Sequence, residues 1–198
     1  KIDLIRRFSP GAKKILDIGA GIGGFKSLAE ENGYDVIGIE PEESQVNIAK
    51  INFNVDLVCT TFESFSQSNN TKFDVIHLHH VLEHLRNPKK ILLEIKNMLN
   101  DTGILIVEVP NQFFVLSKEI YVKLGKIKLK KPYNPYHHVN FFSPSTLKKL
   151  FEDCSYKIIE LNQPKKYSKK LLHRVYLLLA NIIKMGISTR IEIIANKI

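Results

Sequence analysis

Leu16-Asp17-Ile18-Gly19-Ala20-Gly21-Ile22-Gly23-Gly24-Phe25 is the stretch on which the reading of this chain turns. Lys14 to Ile18 is a short apolar run of strand type, and the glycines after it open what the pattern predicts to be a helix from Gly24 to Asn32. Glycine in such a turn lets a ligand come close to the backbone, because any Cβ would take up its space. Glu40 closes the next strand, Asp35 to Ile39, 21 residues after Gly19. A carboxylate at that strand end can accept hydrogen bonds from both hydroxyls of a ribose. Gly19, Gly21 and Gly24 also satisfy the dinucleotide fingerprint. Asp17, two residues before the first glycine, disfavours a pyrophosphate and suits an ammonium or hydroxyl, so a nucleoside cofactor is preferred over a dinucleotide.

Outward from this stretch, apolar runs alternate with amphipathic ones, as in a parallel sheet covered by helices. A helix is predicted from Ile2 to Phe8 and another from about Ser44 to Asn52. Strands follow at Asp56 to Cys59, Phe73 to Leu78 and Ile104 to Val109, with a helix over Val81 to Leu99 interrupted by Asn87-Pro88. Ser143-Pro144 reads as an N-cap with proline in the first turn of a helix reaching about Asp153. Tyr156 to Leu161 and Arg190 to Ala195 complete a seven-stranded count. The expectation is a single α/β domain over 1–198, a doubly wound, mostly parallel sheet with an antiparallel last strand. Residues 111–142, with six lysines and the His137-His138 pair, read as a lid or insertion. Leu171 to Met185 carries a wide apolar stripe, read as core packing, with a membrane surface or a dimer face as the alternatives.

Composition limits the choices. At 198 residues, with 44% hydrophobic and 25% charged, the chain is neither disordered nor a disulfide scaffold, and Cys59 and Cys154 have no metal-binding spacing. No apolar run is long enough to span a bilayer, and the start KIDLIRRFSP has no apolar signal core, so a cytoplasmic protein is expected. The net charge of +9 comes from 24 lysines and five arginines, a balance that does not favour nucleic-acid reading.

On LDIGAGIGGF, IGIEP, FDVIHLHHVLEH, GILIVEVPN and the terminal RIEIIANK, the sequence resembles the class I S-adenosylmethionine-dependent methyltransferases. HVLEH, VPN and HHVNFFSPSTL are similar to the small-molecule branch that includes the ubiquinone-biosynthesis O-methyltransferases. The resemblance implies S-adenosyl-L-methionine as cofactor and a small-molecule acceptor methylated on oxygen or nitrogen. A monomer or a homodimer is expected. It places Asp17 at the cofactor's amino group, Gly19, Gly21 and Gly23 along its backbone cradle, and Glu40 on the ribose. Thr61 and Phe62 fall in the adenine-contacting stretch, and His79 beside the methionine portion. An RNA or protein methyltransferase, an NAD-dependent oxidoreductase and a silent fold-mate are the alternatives.

Removing a proton from the acceptor calls for a base of near-neutral pKa. His138 is the first candidate, with His80 and His137 after it. His80 and His84, four apart with Glu83 beside them, have a spacing that can hold a divalent metal. The reading preferred is that Glu83 and His84 order the helix start and that no metal is bound.

Overall fold

The computed structural model describes residues 1–111, 139–163 and 190–198. Among them, seven strands form one sheet: β1 (Lys14–Ile18), β2 (Asp35–Glu40), β3 (Val58–Cys59), β4 (Phe73–His79), β5 (Leu99–Pro110), β6 (Tyr156–Asn162) and β7 (Arg190–Lys197). Their spatial order is β3-β2-β1-β4-β5-β7-β6. The five from β3 to β5 run parallel, while β7 is antiparallel to both β5 and β6. The chain works outward from β1 to β3, then crosses back to lay β4 on the other side of β1. Where the winding reverses, between β1 and β4, an open α/β sheet leaves a crevice at its carboxyl ends.

Among the described residues, six helices flank the sheet: α1 (Ile2–Phe8), α2 (Gly24–Glu31), α3 (Glu43–Phe53), α4 (Phe62–Ser68), α5 (Pro88–Met98) and α6 (Pro144–Asp153). Strand alternation divides the apolar side chains between two layers. Leu16, Ile76, Leu78, Leu105 and Val107 pack against Phe65, Ile91, Leu92, Ile95, Leu147 and Phe151. On the other face, Ile15, Val75, Ile104, Ile106 and Ile194 meet Ile2 and Ile5 of α1 and Ala29 of α2. Burying each such aliphatic side chain contributes roughly 1.5–3 kcal/mol.

Polar groups set the boundaries. Asp74 Oδ2 accepts from the amides of Lys13 and Lys14 at 2.9 Å each, and its Oδ1 accepts from Asn100 Nδ2 at 2.7 Å, joining the starts of β1, β4 and β5. Burial pushes the Asp74 carboxyl up, but those hydrogen bonds outweigh it and hold the group below the usual range. Ser143 caps α6 by accepting from Thr146 N while Thr146 Oγ1 accepts from Ser143 N, a reciprocal capping box. Asn87 caps α5 from its side chain, with Pro88 in the first turn.

Three elements differ from the sequence expectation. The third strand is only Val58–Cys59 at the sheet edge. The stretch expected as one helix from Val81 to Leu99 is a 3-10 turn, Leu82–His84, followed by α5, and Leu99 already pairs with Phe73 as the start of β5. Helix α4 was not expected at all. Residues 112–138 of the expected insertion at 111–142, with His137 and His138, and the apolar stripe at 171–185 lie outside the described residues. The ends of the insertion meet, since Asn111 bridges to Phe142.

Candidate active site

The glycine loop is pinned to β2. Gly19 N and Ala20 N both donate to Ile39 O, at 2.9 and 3.0 Å. Gly21 N donates to Glu40 Oε2 at 2.9 Å and Glu42 N to Glu40 Oε1 at 3.1 Å, so the buried Glu40 carboxylate is fixed from both sides. A carboxylate has about four acceptor sites, which leaves two for donors from outside the chain.

Gly19 and Gly21 both have left-handed backbone, with φ of 69° and 56°, but for different reasons. A Cβ on Gly19 would sit 2.4 Å from Val81 Cγ2, whereas one on Gly21 would meet nothing within 4 Å. Gly19 is therefore required by packing against the turn after β4, and Gly21 borders open space. Gly19→Ala should cost about 2–3 kcal/mol, combining left-handed strain with overpacking. Gly21→Ala should cost only about 1 kcal/mol. Urea melts of the two variants check the ranking. Gly23, also among the predicted cradle residues, packs against Ala49 and Val55.

Asp17 and His77 are direct register partners on β1 and β4. Asp17 Oδ1 lies 2.8 Å from His77 Nδ1, and both side chains are almost fully buried, at 4% and 2% exposure. Asp17 Oδ2 and His77 Nε2 are buried with no hydrogen-bond partner. An orphaned buried carboxylate oxygen costs roughly 1–3 kcal/mol, which a donor from a bound molecule would recover.

Beyond β4 the polar groups thicken. His79 Nε2 is 3.2 Å from Glu108 Oε1, across the β4–β5 register. His80, with a φ of 58°, turns the chain out of the strand while its amide still donates to Glu108 O at 2.9 Å. His80 Nδ1 is 3.2 Å from Oε1 of Glu83, and its Nε2 is 3.8 Å from Glu108 Oε1. Glu83 is buried and its backbone carbonyl accepts from Val139 N and Asn140 N, tying the returning end of the insertion to this turn. Left-handed backbone in a histidine stores strain, and such residues concentrate at functional sites. The four-residue spacing of His80 and His84 does not put them on one helical turn, because His80 is left-handed and His84 ends the 3-10 turn.

Glu108 also accepts from Lys1 Nζ at 2.7 Å and Arg190 Nη1 at 2.8 Å, and Lys1 extends to Glu192. Burial pushes the Glu108 carboxyl up, yet His79, Lys1 and Arg190 together hold it well below the usual carboxylate range. His79, His80 and Glu108 have ligand atoms within 4.8 Å of one another, a spacing that could hold a metal ion. With Lys1 and Arg190 on its oxygens, however, Glu108 is an ion-pair partner and not a free ligand. The sequence reading missed this centre. Its one signal was a lone acid in each of two apolar strands, Ile104–Val109 and Arg190–Ala195.

Thr61 is the N-cap of α4, exposed, with its Oγ1 accepting from Ser64 N at 3.2 Å; Phe62, beside it, is buried in the core. A surface cavity of about 460 Å³ lies between α4 and the end of α5, lined by groups such as Asn69, Lys72 and Asn97. It sits at the amino end of β4, away from Asp17 and Glu40.

A doubly wound sheet with a glycine turn after β1, an acid ending β2 and β7 inserted antiparallel next to β5 defines the class as Rossmann-like α/β proteins. A sequence model described as "Methyltransferase domain" matches residues 1–161, and the chain belongs to that family. It is 24% identical over 150 residues to a ubiquinone biosynthesis O-methyltransferase of Aliivibrio fischeri, an alignment covering 72% of this chain and 63% of the relative. The chain thus spans less than two thirds of that relative's length. Its fold is similar to that of a SAM dependent methyltransferase from Archaeoglobus fulgidus, with a TM-score of 0.69 and 21% identity over 98% of this chain and 92% of that one. A putative S-adenosylmethionine dependent methyltransferase from Listeria monocytogenes gives a TM-score of 0.71 at 17% identity, over 99% and 97% of the two chains. No helix among the described residues is long and apolar enough to cross a membrane.

Proposed function

We propose that this chain transfers the methyl group of S-adenosylmethionine to an oxygen or nitrogen of a small-molecule acceptor. The observation that carries the reading is the Glu40 clamp, a buried carboxylate fixed by Gly21 N and Glu42 N beside the open space at Gly21. Two features fit the cofactor independently of any likeness. Asp17 Oδ2 is an orphaned acceptor beside the loop, suited to an ammonium, and a Cβ on Gly21 would fill space that a ligand can use. When bound, S-adenosylmethionine supplies an electrophilic methyl carbon on a sulfonium, so transfer breaks the S–CH₃ bond, forms an O–CH₃ or N–CH₃ bond and leaves a neutral thioether.

The chain's own residues hold, align and deprotonate. Glu40 accepts from the ribose hydroxyls, Asp17 takes the ammonium, and Thr61 and His79 border the adenine and methionine ends. His80 is the base best placed among the described residues. Its Nδ1–H donates to buried Glu83, which leaves Nε2 as the acceptor for the proton of the incoming hydroxyl or amine. Proximity and alignment supply most of the remaining rate.

Calorimetric titration with S-adenosylhomocysteine, with NADH as control, tests the cofactor. Micromolar binding of the first alone supports the reading, and binding of NADH alone overturns it. Glu40→Ala should weaken S-adenosylhomocysteine about 10–100-fold, since charge-assisted hydrogen bonds in a partly closed site are lost. Radiolabelled methyl transfer to a panel of phenols, carboxylic acids and amines then identifies the acceptor class. Retention of label by RNA alone would move the assignment to a nucleic-acid methyltransferase.

A further inference from the structure

The Asp17 carboxylate is paired with a residue from another strand. Asp17 and His77 stand side by side on β1 and β4, on the face that carries Ile15, Val75, Ile104 and Ile106 below them. They form a buried polar pair on top of an apolar layer. Phe25 of α2 lies against the His77 ring, with centroids 4.1 Å apart, so the imidazole is held by packing as well as by its strand. Its Nδ1 is directed at one Asp17 oxygen, at 2.8 Å, and the other oxygen is left without a partner. His79, two residues on and on the same face, is engaged with Glu108. Lys26, the buried cation of α2, is engaged with Glu30 and with Val36 O. No other charged group of the described residues is within ion-pair distance of Asp17.

A carboxylate with one oxygen tethered and the other bare has a defined direction of recognition. Free to rotate, it would present no fixed oxygen to a ligand. We propose that His77 is a positioning residue. By donating from Nδ1 to Asp17 Oδ1, it holds the carboxylate so that Oδ2 receives the ammonium of the cofactor's amino-acid end. Recognition of that end, as opposed to the nucleoside end, then depends on a buried histidine that never touches the ligand. The inference rests on the reading of Asp17 given above.

The test measures affinities of the whole chain for two probes, S-adenosylhomocysteine and 5′-methylthioadenosine, which keeps the nucleoside and thioether but lacks the amino-acid end. His77→Leu should weaken S-adenosylhomocysteine at least tenfold and leave 5′-methylthioadenosine within twofold. His77→Asn, whose amide nitrogen can stand where Nδ1 stands, should recover most of the loss. His77→Gln, whose amide nitrogen falls nearer the Nε2 position, should not. A merely structural role predicts equal weakening of both probes, which would overturn the proposal, as would equal affinities in the Asn and Gln variants. Should the leucine variant not fold, the Asn and Gln pair decides alone. Asp17→Asn separates the two readings. If it leaves the preference between the probes intact, or the parent shows none, the role of Asp17 itself is wrong. If it abolishes the preference and the His77 variants do not, only the role of His77 falls.

Discussion

His80→Asn is expected to lower kcat about 100-fold with the accepting substrate while S-adenosylhomocysteine binds within twofold of the parent, in line with the usual worth of a positioned general base. Asparagine, whose amide nitrogen can stand where Nδ1 stands, can still donate to Glu83, so the buried carboxylate keeps a partner, but it has no lone pair of useful basicity to offer the acceptor. The imidazole is about one third exposed, and Glu83 beneath it is almost fully buried, the disposition of a reacting group over its orienting partner. A second variant strengthens the case. His80 has a φ of 58°, a conformation glycine adopts without strain, so His80→Gly should fold and leave a gap the size of the ring. Added imidazole should then restore part of the lost rate. If His80→Asn turns over like the parent, the base lies elsewhere, and His137 and His138 become the next variants to make.

What could be read from the sequence and what could not divide along a physical line. Elements with local signals came through: the glycine turn after β1, the end of α2 near Asn32, the Ser143-Pro144 start of α6 and the apolar strands of both layers. Helix α4 did not, because FESFSQS contains few strong helix formers and its cues reduce to Thr61 as a cap and two phenylalanines three apart. The long helix expected after β4 failed for a related reason. The apolar spacing of Val81, Leu82 and Leu85 is helical, but His80 leaves the strand left-handed and the turn closes as 3-10. At the site, Glu40 was legible because strand end and glycine loop are separated by a short, regular unit. The pairings of Asp17 with His77 and of His79 with Glu108 were not. Alternation tells which face a side chain takes, yet which residues lie opposite depends on the register between parallel strands far apart in sequence, and no local pattern encodes it.

Glu108 joins the most residues at that register, and its loss should be felt as stability. Burial alone would raise its carboxyl, but hydrogen bonds from His79, Lys1 and Arg190 hold it well below the usual carboxylate range in the folded chain. A group depressed in this way contributes stability that is fully present above the unfolded-state value, about 4.3 for glutamate, and is lost as pH falls toward the folded value. Glu108→Gln mimics the protonated form at every pH. It should therefore lower stability by about 2–3 kcal/mol at pH 7, less than the ~3–5 for a fully buried pair because the Lys1 and Arg190 side chains reach solvent. For a chain of this size that corresponds to a drop in Tm of roughly 5–10 °C. Thermal melts of parent and variant should diverge most at neutral pH and converge as pH falls below about 4, where the unfolded parent takes up a proton that the folded parent still refuses. A gap independent of pH would mean that Glu108 acts through packing. A gap that narrows toward acid would mean that its charge is what joins β4, β5, β7 and Lys1 at the carboxyl edge of the sheet, next to the turn that presents His80.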